Sequence, residues 1–155
     1  MANVNKLWSD WVPDEAAMTA LGARLAKVFP ESGLIYLHGD LGAGKSTLVR
    51  SFIKARGYSG HVKSPTYTIV EPYQVTGHTI YHLDLYRIAD PEELEFIGIR
   101  DLLSERSLVL VEWPDKGAGV LPTADLDIYI AYSGQGRDVS INRASEEGMS
   151  VIKVL

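Results

Sequence analysis

Cysteine is absent from the 155-residue chain, which removes disulfides and thiolate metal sites from consideration. Histidine is scarce. His38, His61, His78 and His82 are the only four, none falls in the HExxH spacing of a zinc hydrolase, and they read as ordinary surface or strand-edge residues. No apolar run approaches the roughly 20 residues that a membrane-spanning helix needs. The opening "MANVNKLWSDW" has neither the basic start nor the apolar stretch of a secretory signal, so the expected location is the cytoplasm. An excess of positive charge is also missing. Fifteen Lys and Arg face 20 Asp and Glu, for a net charge of −5, the wrong sign for a protein that grips nucleic acid alone by neutralising phosphates. That sign leaves room for a partner that does the gripping. There is no internal repeat, low-complexity tract or long linker, so residues 1–155 read as one domain with a hydrophobic core of its own.

What is present is an alternation of helical and strand patterns. Asp14–Phe29, "DEAAMTALGARLAKVF", sets Ala17, Leu21, Leu25 and Val28 on one helical face, with Asp14 as N-cap and Pro30 as terminator. Gly33–Gly39 is an apolar strand too short for a helix, and "KSTLVRSFIKARG" is a helix with Leu48, Phe52 and Ile53 inward. Two strands, near Thr68–Gln74 and Thr79–Leu85, flank a turn at Thr76-Gly77. "ADPEELEFIGIRDLL" reads as a helix capped by Asp90, with Pro91 in its first turn. Ser107–Pro114, "SLVLVEWP", is nearly all apolar, as a strand buried on both faces must be. "LDIYIAYS" and "RDVSINR" alternate like antiparallel edge strands joined at "GQG", and the tail "MSVIKVL" is compatible with strand or helix. The expected fold is α/β: a three-layer, P-loop NTPase-like arrangement with a mixed parallel and antiparallel central sheet flanked by helices.

Gly39-Asp40-Leu41-Gly42-Ala43-Gly44-Lys45-Ser46 matches GxxxxGK[ST] at every fixed position. A strand here must turn abruptly into a helix while aiming successive backbone N–H groups at one point. Glycine accepts the positive φ angles and leaves no Cβ to bar a phosphate. The helix opening at Lys45 adds free N–H groups and the positive end of its dipole. Lys45 supplies a cation for β- and γ-phosphates, the Ser46 hydroxyl suits Mg2+, and Thr47 reaches toward an α-phosphate. The motif alone does not choose between ATPase, GTPase and kinase.

Hydrolysis needs a carboxylate at a neighbouring strand end to hold the metal, and a group to position water. Glu112 closes the most apolar strand, where it is either a Walker B-like acid or a solvated residue at a strand exit. Asp84 lies near the end of "YHLDLYR", as a chemical group or as a structural partner of Arg87. Val62–Ile69, "VKSPTYTI", is rich in hydroxyls around Pro65; it is a loop that γ-phosphate could order, or a plain turn before a strand. Trp113 fills core, meets a partner or walls the site.

"GDLGAGKSTL", "VKSPTYTIVEPY", "YHLDLYRIADPEELEFIGIRDLL" and "LVEWPDKGAGVLP" follow one another in an order and spacing that resemble the TsaE family, also called YjeE. These are small bacterial ATPases of the pathway that makes threonylcarbamoyladenosine at position 37 of tRNAs reading codons that begin with A. The likeness runs from about Pro13 to Arg137. It implies ATP and Mg2+ as ligands, and an accessory role beside TsaD, which transfers the threonylcarbamoyl group, and TsaB; tRNA is then met indirectly, through that complex. It further implies Ser46 and Glu112 as Mg2+ ligands, and Lys45 with the loop from Leu41 through Gly42, Ala43 and Gly44 as the phosphate cradle. Asp84 becomes the hydrolysis residue, Ser64, Pro65, Thr66, Tyr67 and Thr68 the switch, and Trp113 a neighbour of the site. Glu15, Gly136 and Arg137 fall on the adenine side. Ser46 stands where many members carry threonine; either hydroxyl binds Mg2+.

Competing classes make different demands. A small-molecule kinase needs an acceptor pocket and an arginine-bearing lid, but Arg87, Arg100 and Arg106 form no such motif. A GTPase needs N-K-x-D, and the nearest match, "NKLW" at Asn5–Trp8, fails at its last position. A nucleotide-sensing module would bind ATP without hydrolysing it.

Overall fold

The computed structural model describes residues 6–104 and 106–155; Asn5, where the "NKLW" match begins, lies outside them. One sheet of seven strands organises the chain: β1 (Trp8–Val12), β2 (Gly33–His38), β3 (Val70–Val75), β4 (His78–Asp84), β5 (Ser107–Glu112), β6 (Leu126–Ser133) and β7 (Gly136–Ala144). Their spatial order is β1-β7-β6-β2-β5-β4-β3. The central strands β6, β2, β5 and β4 run parallel, while β3, β7 and β1 pair antiparallel at the two sides. Helices α1 (Glu15–Val28), α2 (Lys45–Ala55), α3 (Glu93–Phe96), α4 (Ile99–Ser104) and α5 (Glu146–Val154) flank it, with a 3-10 turn at Pro114–Gly117.

Both faces of β2 and β5 are covered, which explains why these two strands are almost wholly apolar. Along β2, Ile35 and Leu37 pack with Leu25, Phe52 and Val151 from α1, α2 and α5, whereas Leu34 and Tyr36 pack with Leu94 and Ile99 from α3 and α4. Every residue of β5 is buried, as expected for a parallel strand covered on both sides. Asp14 caps α1 by accepting from Ala17 N at 2.9 Å, and Arg56, just past α2, donates to Ala26 O at 2.8 Å and to Phe29 O, closing the other end of α1. The expected mixed, three-layer architecture is therefore present.

Four local expectations change. "LDIYIAYS" and "RDVSINR" are not edges: β6 lies parallel beside β2, and β7 is covered by β1. β1 went unread because "WSDWV" is short and mixed; it forms on the edge that β7 offers, with Trp8 opposite Ile141 and Val12 opposite Arg137. The segment after Asp90 is two short helices, parted at Gly98 with φ +75°, a left-handed conformation that ends a helix. The tail is helix α5, capped by Ser145 accepting from Gly148 N at 3.1 Å. Among the described residues no helix is long and apolar enough to cross a membrane.

Candidate functional site

At the C-terminal end of β2 the chain turns into α2 through Gly42 (φ +79°) and Gly44 (φ +119°), angles that favour glycine. Gly44 is the N-cap residue of α2 and offers no side-chain acceptor, so the first N–H groups of the helix stay open to an anion. The carbonyls of the loop are held from behind. Tyr132 Oη donates to Leu41 O at 2.8 Å, Arg137 Nε to Ala43 O at 2.9 Å, and an Arg137 Nη to Gly42 O at 3.4 Å. Arg137 also lies with its guanidinium carbon 4.2 Å from the Tyr132 ring centroid. Two residues of the β6–β7 hairpin thus fix three successive peptide planes of the loop.

Lys45 is 4% exposed. Its Nζ donates to Gly39 O and stands 3.7 Å from the centroid of the Trp113 ring, a cation–π distance. Burial pulls the Lys45 pKa down, and the negative charges of Glu112, Asp84, Asp40 and Asp115 oppose that pull. Trp113 has φ 57°, a rare angle for a bulky residue, and it turns the chain out of β5 into the 3-10 turn.

Glu112 and Asp84 are register partners on β5 and β4, both buried. Ser46 Oγ lies 3.3 and 3.4 Å from the two Glu112 oxygens, and His82 Nε2 lies 2.6 Å from Oε2. Asp84 accepts only from Tyr86 N, at 3.0 Å, among the bonds seen for its side chain. Burial pushes the Asp84 pKa up and the Glu112 charge adds to it, against the Tyr86 amide, His82 and Lys45. No ion pair joins Asp84 to Arg87 among the described residues; the Arg87 guanidinium lies 4.4 Å from the Tyr67 ring centroid instead. A cavity of about 310 Å³ is lined by Lys45, Ser46, Thr66, Asp84, Glu112 and Trp113.

Of the segment Ser64–Thr68, only Thr66 reaches that cavity. Pro65 is buried, while Ser64, Tyr67 and Thr68 are exposed. The segment is nonetheless tied to the site. Ile69 N donates to Pro65 O at 2.7 Å and Asp84 N donates to Ile69 O at 2.9 Å. Ile69 itself has φ 71°, a strained angle for a β-branched residue, and the strand accordingly starts at Val70 rather than Thr68. On the other side of the loop, Glu15, Gly136 and Arg137 share a second cavity of about 200 Å³ with Gly42, Gly44 and Thr47. Apart from Ser64, Pro65, Tyr67 and Thr68, the candidate residues drawn from distant parts of the sequence line one or other of these two cavities.

The donors suit a hard cation. No group of three or more His, Asp or Glu able to hold a metal occurs among the described residues, whereas a hydroxyl and a carboxylate about 3.3 Å apart match the way Mg2+ is taken, by one or two protein oxygens with phosphate and water completing the shell.

A family model described as "Threonylcarbamoyl adenosine biosynthesis protein TsaE" matches residues 12–139. The chain belongs to the TsaE family. It is 44% identical over 149 residues to the tRNA threonylcarbamoyladenosine biosynthesis protein TsaE of Haemophilus influenzae, covering 93% of this chain and 94% of that one. To the protein of the same name in Bacillus subtilis strain 168 it is 35% identical over 128 residues, covering 82% and 78%. The crystal structure of YdiB from Bacillus subtilis superposes with a TM-score of 0.79 over 99% of this chain and 95% of that one, at 23% identity; at that identity the likeness shows the fold.

Two residues of this TsaE-family site escaped the sequence reading. His82, taken with the other histidines as an ordinary residue, is 2% exposed and bonded to Glu112. The period-2 spacing of "HLD" was the available signal, since it puts His82 on the same face as Asp84. Tyr132 gave no signal, because its role depends on where the hairpin folds back.

Proposed function

We propose that this chain is an ATPase that supports threonylcarbamoylation of adenosine 37 in tRNAs reading codons that begin with A, acting with TsaD and TsaB and not as the transferase. The observation that carries the reading is the convergence of Lys45, Ser46, Asp84 and Glu112 on one cavity at the mouth of the phosphate loop. The names of the relatives supply the pathway, and the net charge of −5 agrees with tRNA being held mainly by partners.

In this reading the loop amides and the Lys45 ammonium receive the triphosphate of ATP, and the base lies toward Glu15, Gly136 and Arg137. Ser46 and Glu112 hold Mg2+, which when bound draws negative charge off the phosphate oxygens. Asp84 orients the attacking water and can take its proton, since burial makes it a stronger base than an ordinary carboxylate. Thr66 reports the γ-phosphate to the segment Ser64–Thr68, and through Ile69 that segment is bonded to Asp84. Trp113 walls the site and rests against Lys45. Such a protein works in the cytoplasm, where tRNA is modified.

The test is an ATP hydrolysis assay on the chain alone, with the two pathway proteins, and with those proteins plus tRNA. Stimulation by the partners is expected. ATP binding with no hydrolysis under any of the three conditions would favour a nucleotide-sensing module, and a phosphorylated small molecule in a metabolite screen would favour a kinase.

A further inference from the structure

We infer that His82 is a positioning residue for Glu112, fixing that carboxylate where it meets Mg2+; this rests on the ATPase reading above. Glu112 is 3% exposed, so protein donors must replace the water its oxygens lose. Among the described residues two do so, and they are unequal: His82 Nε2 stands at 2.6 Å, Ser46 Oγ at 3.3 and 3.4 Å. The terminal torsion of a glutamate is broad, and the weakly placed hydroxyl is the group the cation would claim. Among the described residues, the imidazole is then the one hydrogen-bonded contact that would keep the carboxylate's orientation once metal arrives.

The sheet register supplies the geometry. On β4, His82 pairs with Leu110 and Asp84 pairs with Glu112, so His82 sits one pleat deeper than the acid it supports and leaves the cavity side of Glu112 clear. The contact also has a cost. His82 Nδ1 is buried with no hydrogen-bond partner, a burden on folding. A core histidine kept only for packing would gain from an apolar replacement; the bond to Glu112 is what the unpartnered nitrogen is tolerated for. In this contact Nε2 is the donor, since an ionised carboxylate oxygen can only accept. Ligand-supporting hydrogen bonds of this kind typically change metal affinity 10- to 100-fold when removed.

The experiment measures binding of a fluorescent, non-hydrolysable ATP analogue, first in EDTA and then across a magnesium titration, together with kcat and KM for ATP. His82→Leu removes the donor, His82→Gln keeps an N–H near the Nε2 position, and His82→Asn keeps one only near Nδ1. His82→Leu and His82→Asn are expected to bind the analogue normally in EDTA but to need roughly 10- to 100-fold more magnesium for half-effect, with His82→Gln close to wild type. A magnesium midpoint unmoved in His82→Asn, or moved equally in His82→Gln and His82→Asn, overturns the inference, and that pair decides the matter even if His82→Leu fails to fold. Wild-type protein that binds no analogue in either condition overturns the ATPase reading and this inference with it. Normal wild-type behaviour with an unmoved variant overturns the role of His82 alone.

Discussion

Replacing Gly22 by alanine tests whether the spacing of two helices sets the nucleotide site. Alanine inside a helix is ordinarily worth about 0.5–1 kcal/mol more than glycine. Here the new Cβ would fall 1.9 Å from Ser51 Oγ and 2.6 Å from Leu48 O on α2, far inside contact distance, and the second of these is backbone. Rotation of Ser51 clears only the first of these contacts, so α1 must also move off α2. Rotation breaks the 2.9 Å bond from the Ser51 hydroxyl to Leu48 O, leaving a buried hydroxyl unpaired at about 1–3 kcal/mol; displacement carries an overpacking penalty of the same size. Less the propensity gain, displacement alone gives a net loss of up to about 2.5 kcal/mol, or up to roughly 10 °C in Tm at ~2–4 °C per kcal/mol for a chain of this size. Displacement has a second effect. Met18 on α1 borders Gly44, whose imagined Cβ would lie 3.0 Å from Met18 Cε, so moving α1 disturbs the cavity beside Glu15 and, on the ATPase reading, should weaken ATP binding. Thermal unfolding and nucleotide titration on Gly22→Ala, and on Gly22→Ala with Ser51→Ala, check this; the double variant should recover part of the loss, since Leu48 O remains. A Gly22→Ala protein with raised Tm would refute the close approach on which the estimate depends.

Two other substitutions probe the site directly. Lys45→Ala should weaken ATP binding about 10- to 100-fold, the value of a charged hydrogen bond of ~1.5–3 kcal/mol, and an unchanged affinity in a binding titration would contradict the role given to that ammonium. Asp84→Asn should leave binding intact and slow hydrolysis about 100-fold or more. It should also raise the Tm at neutral pH. The Asp84 pKa lies above its ordinary value because burial disfavours the charged form, so the carboxylate costs stability above that raised pKa and costs nothing below the unfolded one. The stabilisation by Asp84→Asn should therefore shrink as pH falls through the raised value toward the ordinary aspartate range, and a variant less stable than wild type at neutral pH would count against a desolvated Asp84.

Local chemistry was legible in the sequence where one residue type answers one demand. Gly42 and Gly44 needed left-handed angles, Asp14 an acceptor at a helix start, and β5 two covered faces; each of these can be read without knowing what lies across the sheet. The α/β architecture followed from them. The misreadings of β1 and β6 trace to a distant partner. β1 exists because β7 presents an edge, β6 is interior because β2 lies beside it, and the Tyr132 and Arg137 contacts with the loop exist because a late hairpin returns to an early turn. His82 is intermediate. Its face was fixed by its spacing from Asp84, but its partner was fixed by the register of β4 on β5.

On the ATPase reading, that register also accounts for the proposed division of labour between the two acids. Like charges directly opposite on neighbouring strands disfavour one another, and a site built this way must distinguish its carboxylates by what surrounds them. Among the described residues, Glu112 has two side-chain donors, His82 and Ser46, whereas Asp84 has a single backbone N–H. A carboxylate rich in donors is held in one orientation, as a metal ligand must be. One poor in donors and desolvated is left with a stronger appetite for a proton, as a group that handles the attacking water must be. Exchanging the two residue types, Asp84→Glu with Glu112→Asp, would keep both charges but lengthen the donor-poor arm and withdraw the donor-rich one from His82. On the ATPase reading both magnesium dependence and turnover should then fail together, because each function resides in the surroundings of its acid and not in the presence of a carboxylate.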